Sequence, residues 1–322
     1  MKVLITGGAG FIGSHLAEAL LTNGHSVTAV DNFSSSSVEN LRHLESFPSL
    51  KVLEMDVVTA CDQLDKLVRE HDAVFHLAAA VGVDMVVKRP VHTITTNVKG
   101  SENLLLPAAK YHKRIIVAST SEVYGKSAHE KFAENDDLLI GSPFHSRWCY
   151  ASSKLLDEFL LMAYHREHDL PGTVVRFFNT VGPRQTGRYG MVIPRFVGAA
   201  LRNEPLQVYG DGEQSRCFCH VKDVVKALLL LLDKPESYGG IYNIGSEELI
   251  SIRELAERVI AATKSKSKIE FIPYDVAYAK GFEDMRRRYP DITKISDLVN
   301  WRPEHTLADI INDVADFMRR NA

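Results

Sequence analysis

Residues 1–31 read MKVLITGGAGFIGSHLAEALLTNGHSVTAVD, and this stretch decides the fold. Residues 2–6 form a short apolar run rich in β-branched side chains, and three glycines follow at three-residue spacing. Apolar residues then recur with helical period as far as Gly24, and residues 26–30 form a second apolar run. The stretch therefore predicts a βαβ unit with a glycine-rich turn between its first strand and its helix.

The glycine turn suits a pyrophosphate, which can sit on a helix N-terminus only where no Cβ atom blocks its approach. We expect Gly7 and Gly10 to give the tight turn and close access, and Gly13 to let the helix pack near the strand. Asp31 ends the second strand, where its carboxylate can accept both ribose hydroxyl groups of an adenosine. Because that charge repels a 2′-phosphate, the sequence predicts NAD rather than NADP.

Size and composition predict a soluble globular protein. The chain has 322 residues, of which 45% are hydrophobic and 25% charged, so we expect either one large α/β domain with an appendage or two domains. The net charge of −3 gives no reason to expect nucleic acid or an anionic membrane as a partner. No apolar run approaches the roughly 20 residues of a membrane helix. The N-terminal stretch supplies the first strand, so we do not expect it to be a signal peptide.

Four cysteines suit a reducing cytosol, and we expect a cytoplasmic protein. Cys217 and Cys219 lie two residues apart without a second cysteine pair to complete a zinc site. We therefore expect them to pack in the core, and we expect no metal site.

Further strands and helices alternate along the chain. Strands are predicted at 51–55, 73–77, 114–118, 173–177 and 241–244, and helices at 97–111, 155–168, 221–232, 252–262 and from 307 onwards. This alternation predicts a parallel sheet with right-handed crossovers, whose ligands gather at the carboxyl ends of the strands. Beyond residue 178 the alternation weakens and loops dominate.

We therefore expect an α/β fold: a Rossmann-type doubly wound parallel sheet with a smaller, discontinuous α/β substrate domain. The predicted cofactor domain comprises residues 1–180 plus 217–246, and the predicted substrate domain comprises residues 181–216 plus 247–322.

Residues suited to ligand binding follow several of the predicted strands. Asp56 is suited to an adenine amino group, and Ala78, Ala79 and Ala80 are small enough for the backbone to lie against a flat ligand. Residues 119–122, Ser-Thr-Ser-Glu, follow the fifth strand.

Tyr150 and Lys154 are four residues apart at the start of a helix, so both side chains lie on one face. A tyrosine with a pKa near 10 is a poor base at neutral pH. A neighbouring ammonium and a positive nicotinamide ring would favour the phenolate and lower that pKa.

Several motifs together resemble the extended short-chain dehydrogenase/reductases, which include nucleotide-sugar epimerases, dehydratases and decarboxylases. They are Gly7-x-x-Gly10-x-x-Gly13, His76-Leu77-Ala78-Ala79, Ser119-Thr120-Ser121-Glu122-Val123-Tyr124-Gly125, Tyr150-Ala151-Ser152-Ser153-Lys154, Asn179, Gly182-Pro183-Arg184, Tyr209-Gly210-Asp211-Gly212 and Arg216. The resemblance covers essentially the whole chain. It implies tightly held NAD, a domain that binds a nucleoside-diphosphate sugar, most often a UDP-sugar, and a homodimer built by helix packing.

The resemblance also implies roles for individual residues. Tyr150 resembles the general base, Lys154 its partner and ribose anchor, and Thr120 the hydroxyl that bridges to the sugar, with Ser121 and Glu122 beside it. The implied cofactor contacts are Gly7, Gly10, Phe11, Ile12, Gly13, Asp31, Asn32, Asp56, Val57, Leu77, Ala78, Ala79, Asn97, Ser119, Tyr150, Lys154 and Phe177. The implied substrate contacts are Asn179, Arg188, Val192, Val208, Tyr209, Arg216 and Arg288. Arg216 and Arg288 resemble diphosphate clamps, whereas Arg188 either meets a sugar carboxylate or is a plain loop arginine.

Members of this family share an oxidation at C4 of the sugar and differ in the later steps. Dehydratases carry Asp-Glu where Ser121-Glu122 stands, so dehydration is disfavoured. Decarboxylases carry Thr-Ser-Glu, as this chain does, together with an arginine like Arg288. Epimerases often have a small residue in place of Glu122, but residues 187–194 and 282–288 look more like theirs, including some that act on UDP-glucuronate.

These features predict a 4-epimerase of a UDP-sugar such as UDP-glucuronate or UDP-glucose. An epimerase of the acid must hold its carboxylate near the plane of the new carbonyl, and Arg188 is a candidate for that restraint. The alternative is a UDP-glucuronate decarboxylase. A 4,6-dehydratase and a non-catalytic NAD-binding module are less favoured.

Overall fold

The computed structural model describes residues 1–187, 191–273, 276 and 285–321. The strands are β1 (Lys2–Thr6), β2 (Ser26–Asp31), β3 (Leu50–Glu54), β4 (Ala73–His76), β5 (Arg114–Thr120), β6 (Gly172–Phe177), β7 (Thr180–Val181), β8 (Leu206–Tyr209), β9 (Ser215–Cys217), β10 (Cys219–His220), β11 (Gly240–Ile244), β12 (Leu249–Ser251), β13 (Ile269–Ile272) and β14 (Arg287–Arg288). The described helices are α1 (Phe11–Thr22), α2 (Cys61–Glu70), α3 (Val83–Lys88), α4 (Pro90–Lys110), α5 (Trp148–His168), α6 (Val192–Leu201), α7 (Val221–Leu232), α8 (Ile252–Thr263), α9 (Thr293–Val299) and α10 (Leu307–Arg320).

Seven parallel strands form the central sheet in the order β3-β2-β1-β4-β5-β6-β11. The order reverses between β1 and β4, which makes this place the switch point where α/β sheets bind their ligands. The predicted Rossmann-type parallel sheet is thereby confirmed.

Most residues of the central strands other than β3 are buried, as expected of strands that helices cover on both faces. On one face Val3 and Ile5 pack in a core that includes side chains of α1 and α7. On the other face Leu4 packs in a core that includes side chains of α2, α4 and α5. Cys217 and Cys219 are both fully buried, as expected for cysteines that pack in the core.

One helix begins earlier than its periodicity predicts. α4 begins at Pro90, seven residues before the predicted start, and proline is tolerated in the first turn of a helix. α5 begins at Trp148, so Tyr150 and Lys154 both lie in its first two turns. α7 has its predicted bounds, and α10 begins at the predicted Leu307.

A second lobe has its own core, formed by apolar side chains of α6, α8 and α10 around β8. β9 lies at its edge, between antiparallel β12 and parallel β14. One segment differs from the predicted domain division: Ile292, Ile295 and Trp301 pack in the core of the first lobe. None of the described helices is both long and apolar enough to span a bilayer.

Candidate functional site

A cavity of about 1000 Å³ lies between the two lobes and opens at the carboxyl ends of the central strands. One end is lined by the glycine turn and by the loop after β2, and the other end by residues of α6, β8 and β9. Tyr150 and Thr120 also line this cavity. This volume is at the upper end of the usual range for ligand sites.

The glycine turn lies against the residues that follow β4. A side chain at Gly7 or Gly13 would collide with the neighbouring backbone. Gly7 has φ +70°, and a Cβ atom there would be 2.8 Å from the Ala78 nitrogen. A Cβ atom at Gly13 would be 2.1 Å from the Gly7 oxygen, so only glycine lets α1 begin this close to the turn. These contacts are those that the roles expected of Gly7 and Gly13 require, and the cradle suits a pyrophosphate.

Asp31 is buried at the end of β2 and holds the same loop in place. Its carboxylate accepts hydrogen bonds from the Ala9 nitrogen at 3.0 Å, the Phe33 nitrogen at 2.9 Å and the Ser36 hydroxyl at 2.7 Å. Asp31 therefore joins the glycine turn to the serine-rich loop, and it lines the cavity where an adenosine ribose is expected.

The catalytic candidates meet where β5 ends and α5 begins. Thr120 ends β5 and hydrogen-bonds Tyr150. Burial raises the pKa of the Tyr150 hydroxyl, and the Glu122 carboxylate raises that pKa further, whereas the Thr120 hydrogen bond lowers it. The phenol is therefore held in its neutral, proton-donating form by the protein groups around it.

Lys154 lines the cavity one helical turn after Tyr150, but its ammonium is bound by another residue. Its Nζ atom donates to the Asp157 carboxylate at 2.7 Å, and the two side chains are 2% and 1% exposed. We expected Lys154 to lower the pKa of Tyr150. That pKa is raised instead, first by burial and then by the Glu122 carboxylate, and the Asp157 carboxylate that binds Lys154 raises it further.

Glu122 faces Arg288 across the boundary of the two lobes. The Glu122 Oε1 and Arg288 Nη2 atoms are 3.3 Å apart, and the two side chains are 17% and 12% exposed. Glu122 is held in place because it follows Thr120 in a short 3₁₀ turn, where its backbone nitrogen donates to the Thr120 hydroxyl at 3.3 Å. The pair therefore lies beside Thr120 and Tyr150 in the cavity wall.

Arg216 and Arg288 are opposite each other in the paired strands β9 and β14. Register partners in a sheet point to the same side, so the two guanidinium groups share one face. Arg216 is buried and donates to the Ser215 oxygen at 2.8 Å. Asn179, with φ +34°, donates to the Cys217 oxygen at 2.8 Å and lines the same wall.

Most of the predicted site residues line this one cavity. They are Gly7, Gly10, Phe11, Ile12, Gly13, Asp31, Asn32, Val57, Leu77, Ala78, Ala79, Ser119, Thr120, Ser121, Glu122, Tyr150, Lys154, Phe177, Asn179, Val192, Tyr209, Arg216 and Arg288. Arg188 lies outside the described residues.

Three predicted contacts do not line the cavity. Asn97 is fully buried, accepts from the Ala80 nitrogen at 2.8 Å and donates to Ser153 at 2.9 Å, so it fixes the wall. Asp56 accepts from Asn32 and from the Val58 nitrogen, at 3.0 and 2.7 Å. Val208 is fully buried in the core of the second lobe. Sequence reasoning could place these residues near strand ends, but it could not give the direction of their side chains.

Arg147 and Arg195 line the cavity but were missed, and Arg184, which the motif Gly182-Pro183-Arg184 contains, was given no role. Arg147 precedes Tyr150 by three residues, a spacing that could have placed it on the same side of the helix. Arg184 forms an ion pair with Glu18, and the Arg195 guanidinium lies 4.1 Å from the centre of the Tyr209 ring. No sequence signal points to Arg195, because its partner Tyr209 lies on another element.

The charges around the cavity favour an anionic ligand. Among the described residues that line it, Lys154 and five arginines provide six cations, against the two carboxylates of Asp31 and Glu122. Two diphosphates, one from a dinucleotide and one from a nucleotide sugar, would meet a complementary field here.

Comparison with known proteins agrees with this geometry. The GDP-mannose 4,6 dehydratase family matches residues 4–314. A UDP-N-acetyl-alpha-D-glucosaminuronate decarboxylase of Bacillus cytotoxicus is 44% identical over 94% of this chain and 92% of its own. UDP-glucuronic acid decarboxylase 1 of Arabidopsis thaliana is 36% identical over 99% of this chain and 70% of its own.

The fold also resembles that of a UDP-glucuronic acid 4-epimerase from Bacillus cereus, solved with UDP-glucuronic acid and NAD. Its TM-score is 0.89 at 28% identity, with both chains covered in full. The family match over nearly the whole chain, the decarboxylase relatives and the NAD-bound structure lead to one conclusion. The chain belongs to the GDP-mannose dehydratase-like, NAD-dependent family of extended short-chain dehydrogenase/reductases.

Proposed function

We propose that this protein decarboxylates a UDP-hexuronic acid after oxidising it at C4. The observation that carries the proposal is the Glu122–Arg288 pair, 3.3 Å apart, in the wall that also holds Thr120 and Tyr150. It joins the Thr-Ser-Glu sequence to an arginine, which is the combination that the resemblance associates with decarboxylases. The names of the relatives at 44% and 36% identity support the same reaction. Epimerisation, our first prediction from the sequence, becomes the second candidate.

The residues around the cavity fit NAD. The cradle at Gly7 and Gly13, which has no side chains, can hold the pyrophosphate. Asp31 can bind the adenosine ribose, and Lys154 can bind the nicotinamide ribose. NAD, when bound, takes up a hydride from C4 of the sugar and later gives it back.

Tyr150 takes the proton of the 4-hydroxyl group as its phenolate, which the positive charges of Lys154 and of a bound nicotinamide ring would favour against burial and Glu122. Thr120, which hydrogen-bonds Tyr150, is placed to hold the 4-oxygen. Because burial and Glu122 raise the pKa of Tyr150, the phenol keeps the proton it has taken. The protonated phenol can then donate a hydrogen bond to the C4 oxygen of the 4-keto acid. This is the position at which a donor is needed in the next step.

In the 4-keto acid the carboxylate is β to a carbonyl. When the bond between C5 and the carboxylate carbon breaks, its electron pair forms a C4–C5 double bond, and negative charge moves to the C4 oxygen. Tyr150 and Thr120 are placed to stabilise that charge. Carbon dioxide leaves, and C5 then needs one proton. Of the two cavity-lining carboxyl groups among the described residues, Glu122 lies near Tyr150, so we assign the proton delivery to it.

The second candidate is 4-epimerisation of the same acid, favoured by the fold likeness to the Bacillus cereus enzyme. It requires the carboxylate to lie near the plane of the C4 carbonyl, where the breaking bond cannot overlap the carbonyl orbitals. It also requires the keto sugar to turn over in the cavity. Arg188, the residue we assign to that restraint, lies outside the described residues.

The product distinguishes the two candidates. We expect purified protein to release one carbon dioxide for each UDP-glucuronate or UDP-N-acetylglucosaminuronate consumed, and to form the corresponding UDP-pentose. Comparison of the two acids identifies the sugar. An inverted hexuronate without gas release would instead establish the epimerase, and UDP-glucose serves as the control that cannot lose a carboxylate.

We also expect Asp31 to set the choice of cofactor. Replacement by alanine removes the charge that repels a 2′-phosphate and also a buried acceptor of three hydrogen bonds. Binding of NAD should weaken by about tenfold or more, while NADP binds as well as NAD. Affinities measured by fluorescence titration check this result, and an unchanged preference for NAD would show that Asp31 does not meet the ribose.

The homodimer implied by the resemblance stays a prediction. Its support is a set of exposed apolar side chains on the neighbouring helices α4 and α5, which a second copy would cover: Val91, Ile94, Leu106, Leu156 and Phe159.

A further inference from the structure

A line of buried polar side chains runs beneath the cavity from α5 to β1. It begins with Lys154 and Asp157, joined at 2.7 Å. Ser101 of α4 approaches Asp157, and its hydroxyl oxygen lies 3.1 Å from His76 Nε2. His76 Nδ1 lies 2.7 Å from the Thr6 hydroxyl at the end of β1. Each of these residues is at most 2% exposed.

Within this line only Lys154 and Asp157 are charged. Burial, and after it the charge of Lys154, lower the pKa of His76 to about 3, so this imidazole is neutral at any working pH. Ser101 and Thr6 carry no charge. The balance of charge beneath the catalytic residues therefore depends on one ammonium and one carboxylate.

Nothing in the Tyr-x-x-x-Lys pattern requires the carboxylate at Asp157. Buried charges are kept only when they are paired, because the loss of one partner leaves the other without solvation. An ammonium has three N–H donors in fixed directions, and Asp157 accepts one of them. The pairing therefore fixes the direction in which Lys154 presents its other donors to the cavity it lines.

Asp157 also acts on Tyr150. After burial, the largest influences on the pKa of Tyr150 are, in order, Glu122, the Thr120 hydrogen bond, Asp157 and Arg288; the two carboxylates raise it and the other two groups lower it. Asp157 is thus one of two carboxylates that oppose ionisation of the phenol. Unlike Glu122, Asp157 is not among the described residues that line the cavity. It acts on Tyr150 from beneath the site.

We propose that Asp157 is a positioning residue: it anchors the Lys154 ammonium at the cavity wall, and so fixes the place of the positive charge one helical turn from Tyr150. This inference rests on the role proposed for Tyr150. It concerns the pair beneath the site and is independent of whether the keto sugar loses carbon dioxide or is epimerised.

The test is Asp157→Asn, which keeps the shape of the side chain and removes its charge. We expect the acid limb of the pH profile of kcat/KM to move to lower pH by about one unit, because one of the charges that oppose the phenolate is gone. Retained nicotinamide per chain, measured after denaturation, should fall because Lys154 is no longer anchored. Asp157→Glu, which keeps the charge, should leave the acid limb close to its wild-type position.

Glu158→Gln is the matched control. Glu158 is the next residue on α5 and is also buried, but its carboxylate accepts from Arg176 at 2.9 and 2.7 Å and from Ser119 at 2.5 Å. Loss of that charge should lower the Tm without moving the acid limb. If Asp157→Asn does not fold, Asp157→Ser removes the same charge with a smaller side chain.

A second readout does not depend on turnover. Tyrosinate absorbance of the wild type minus that of Tyr150→Phe, followed against pH, gives the ionisation of Tyr150, and we expect the same downward shift in Asp157→Asn. An acid limb and a tyrosinate titration that both coincide with the wild type would overturn the inference, and so would an upward shift. Full turnover in Tyr150→Phe would instead overturn the proposed function.

Discussion

Replacement of Tyr150 by phenylalanine is expected to lower kcat on a UDP-hexuronic acid by about 10³-fold. The ring still fills its place, but no group remains to take the 4-hydroxyl proton or to donate to the C4 oxygen. Nicotinamide retained per chain should stay at the wild-type level, because the glycine turn and Asp31 hold the other end of the cofactor. Steady-state kinetics and cofactor release on denaturation measure both quantities.

Tyr124→Phe provides the matched control for this change. Tyr124 is fully buried behind the site, stacks on Phe132 and donates to the Asn243 side chain at 2.8 Å. In Tyr124→Phe, loss of the hydroxyl group should lower the free energy of unfolding of the protein by about 1 kcal/mol and leave most of kcat intact. A Tyr150→Phe enzyme that turns over as fast as Tyr124→Phe would remove Tyr150 from the reaction.

The second large effect is expected at Glu122. In Glu122→Gln the release of carbon dioxide should fall by about 10²-fold or more, because the group that we assign to proton delivery at C5 is lost. Oxidation at C4 should be affected less, so a 4-keto species should build up on the enzyme. Rapid quenching followed by mass spectrometry of the bound sugar distinguishes the keto acid from substrate and product.

Glu130→Gln controls for a general effect of charge on this side of the molecule. Glu130 faces Arg287 at 3.5 Å, next to Arg288 in the chain, but it is 80% exposed and does not line the cavity. We expect its carbon dioxide release to match the wild type. If Glu122→Gln also releases carbon dioxide at the wild-type rate, Glu122 is only a structural partner of Arg288.

The sequence predicts the fold well because the relevant signals are local. The β-branched run, the glycine spacing and the helical period between residues 1 and 31 each need no more than a few neighbouring residues. They are enough to place Gly7, Gly13 and Asp31 at one end of a cavity. The helix start at Pro90 was harder to predict, since it depends on tertiary packing rather than on periodicity.

The chemistry of the site depends on contacts that no local pattern contains. Glu122 and Arg288 meet only because β14 joins β9 in the second lobe, and Arg288 pairs with Arg216 in register there. Lys154 was predicted to lower the pKa of Tyr150, but burial and the Glu122 carboxylate raise it, and the Asp157 carboxylate that binds Lys154 raises it further. A sequence gives the residue types and their spacing, whereas the balance of buried charges requires their positions in space.

The account depends on loss of a carboxylate from a sugar oxidised at C4, and isotope incorporation tests it most directly. UDP-glucuronate, or its N-acetylated counterpart if that is the acid turned over, is converted in deuterium oxide, and the product is analysed by proton NMR. We predict a UDP-pentose that carries one solvent deuterium at C5 and keeps the original hydrogen at C4. A hexuronate inverted at C4, with its carboxylate present and no deuterium at C5, would contradict the account.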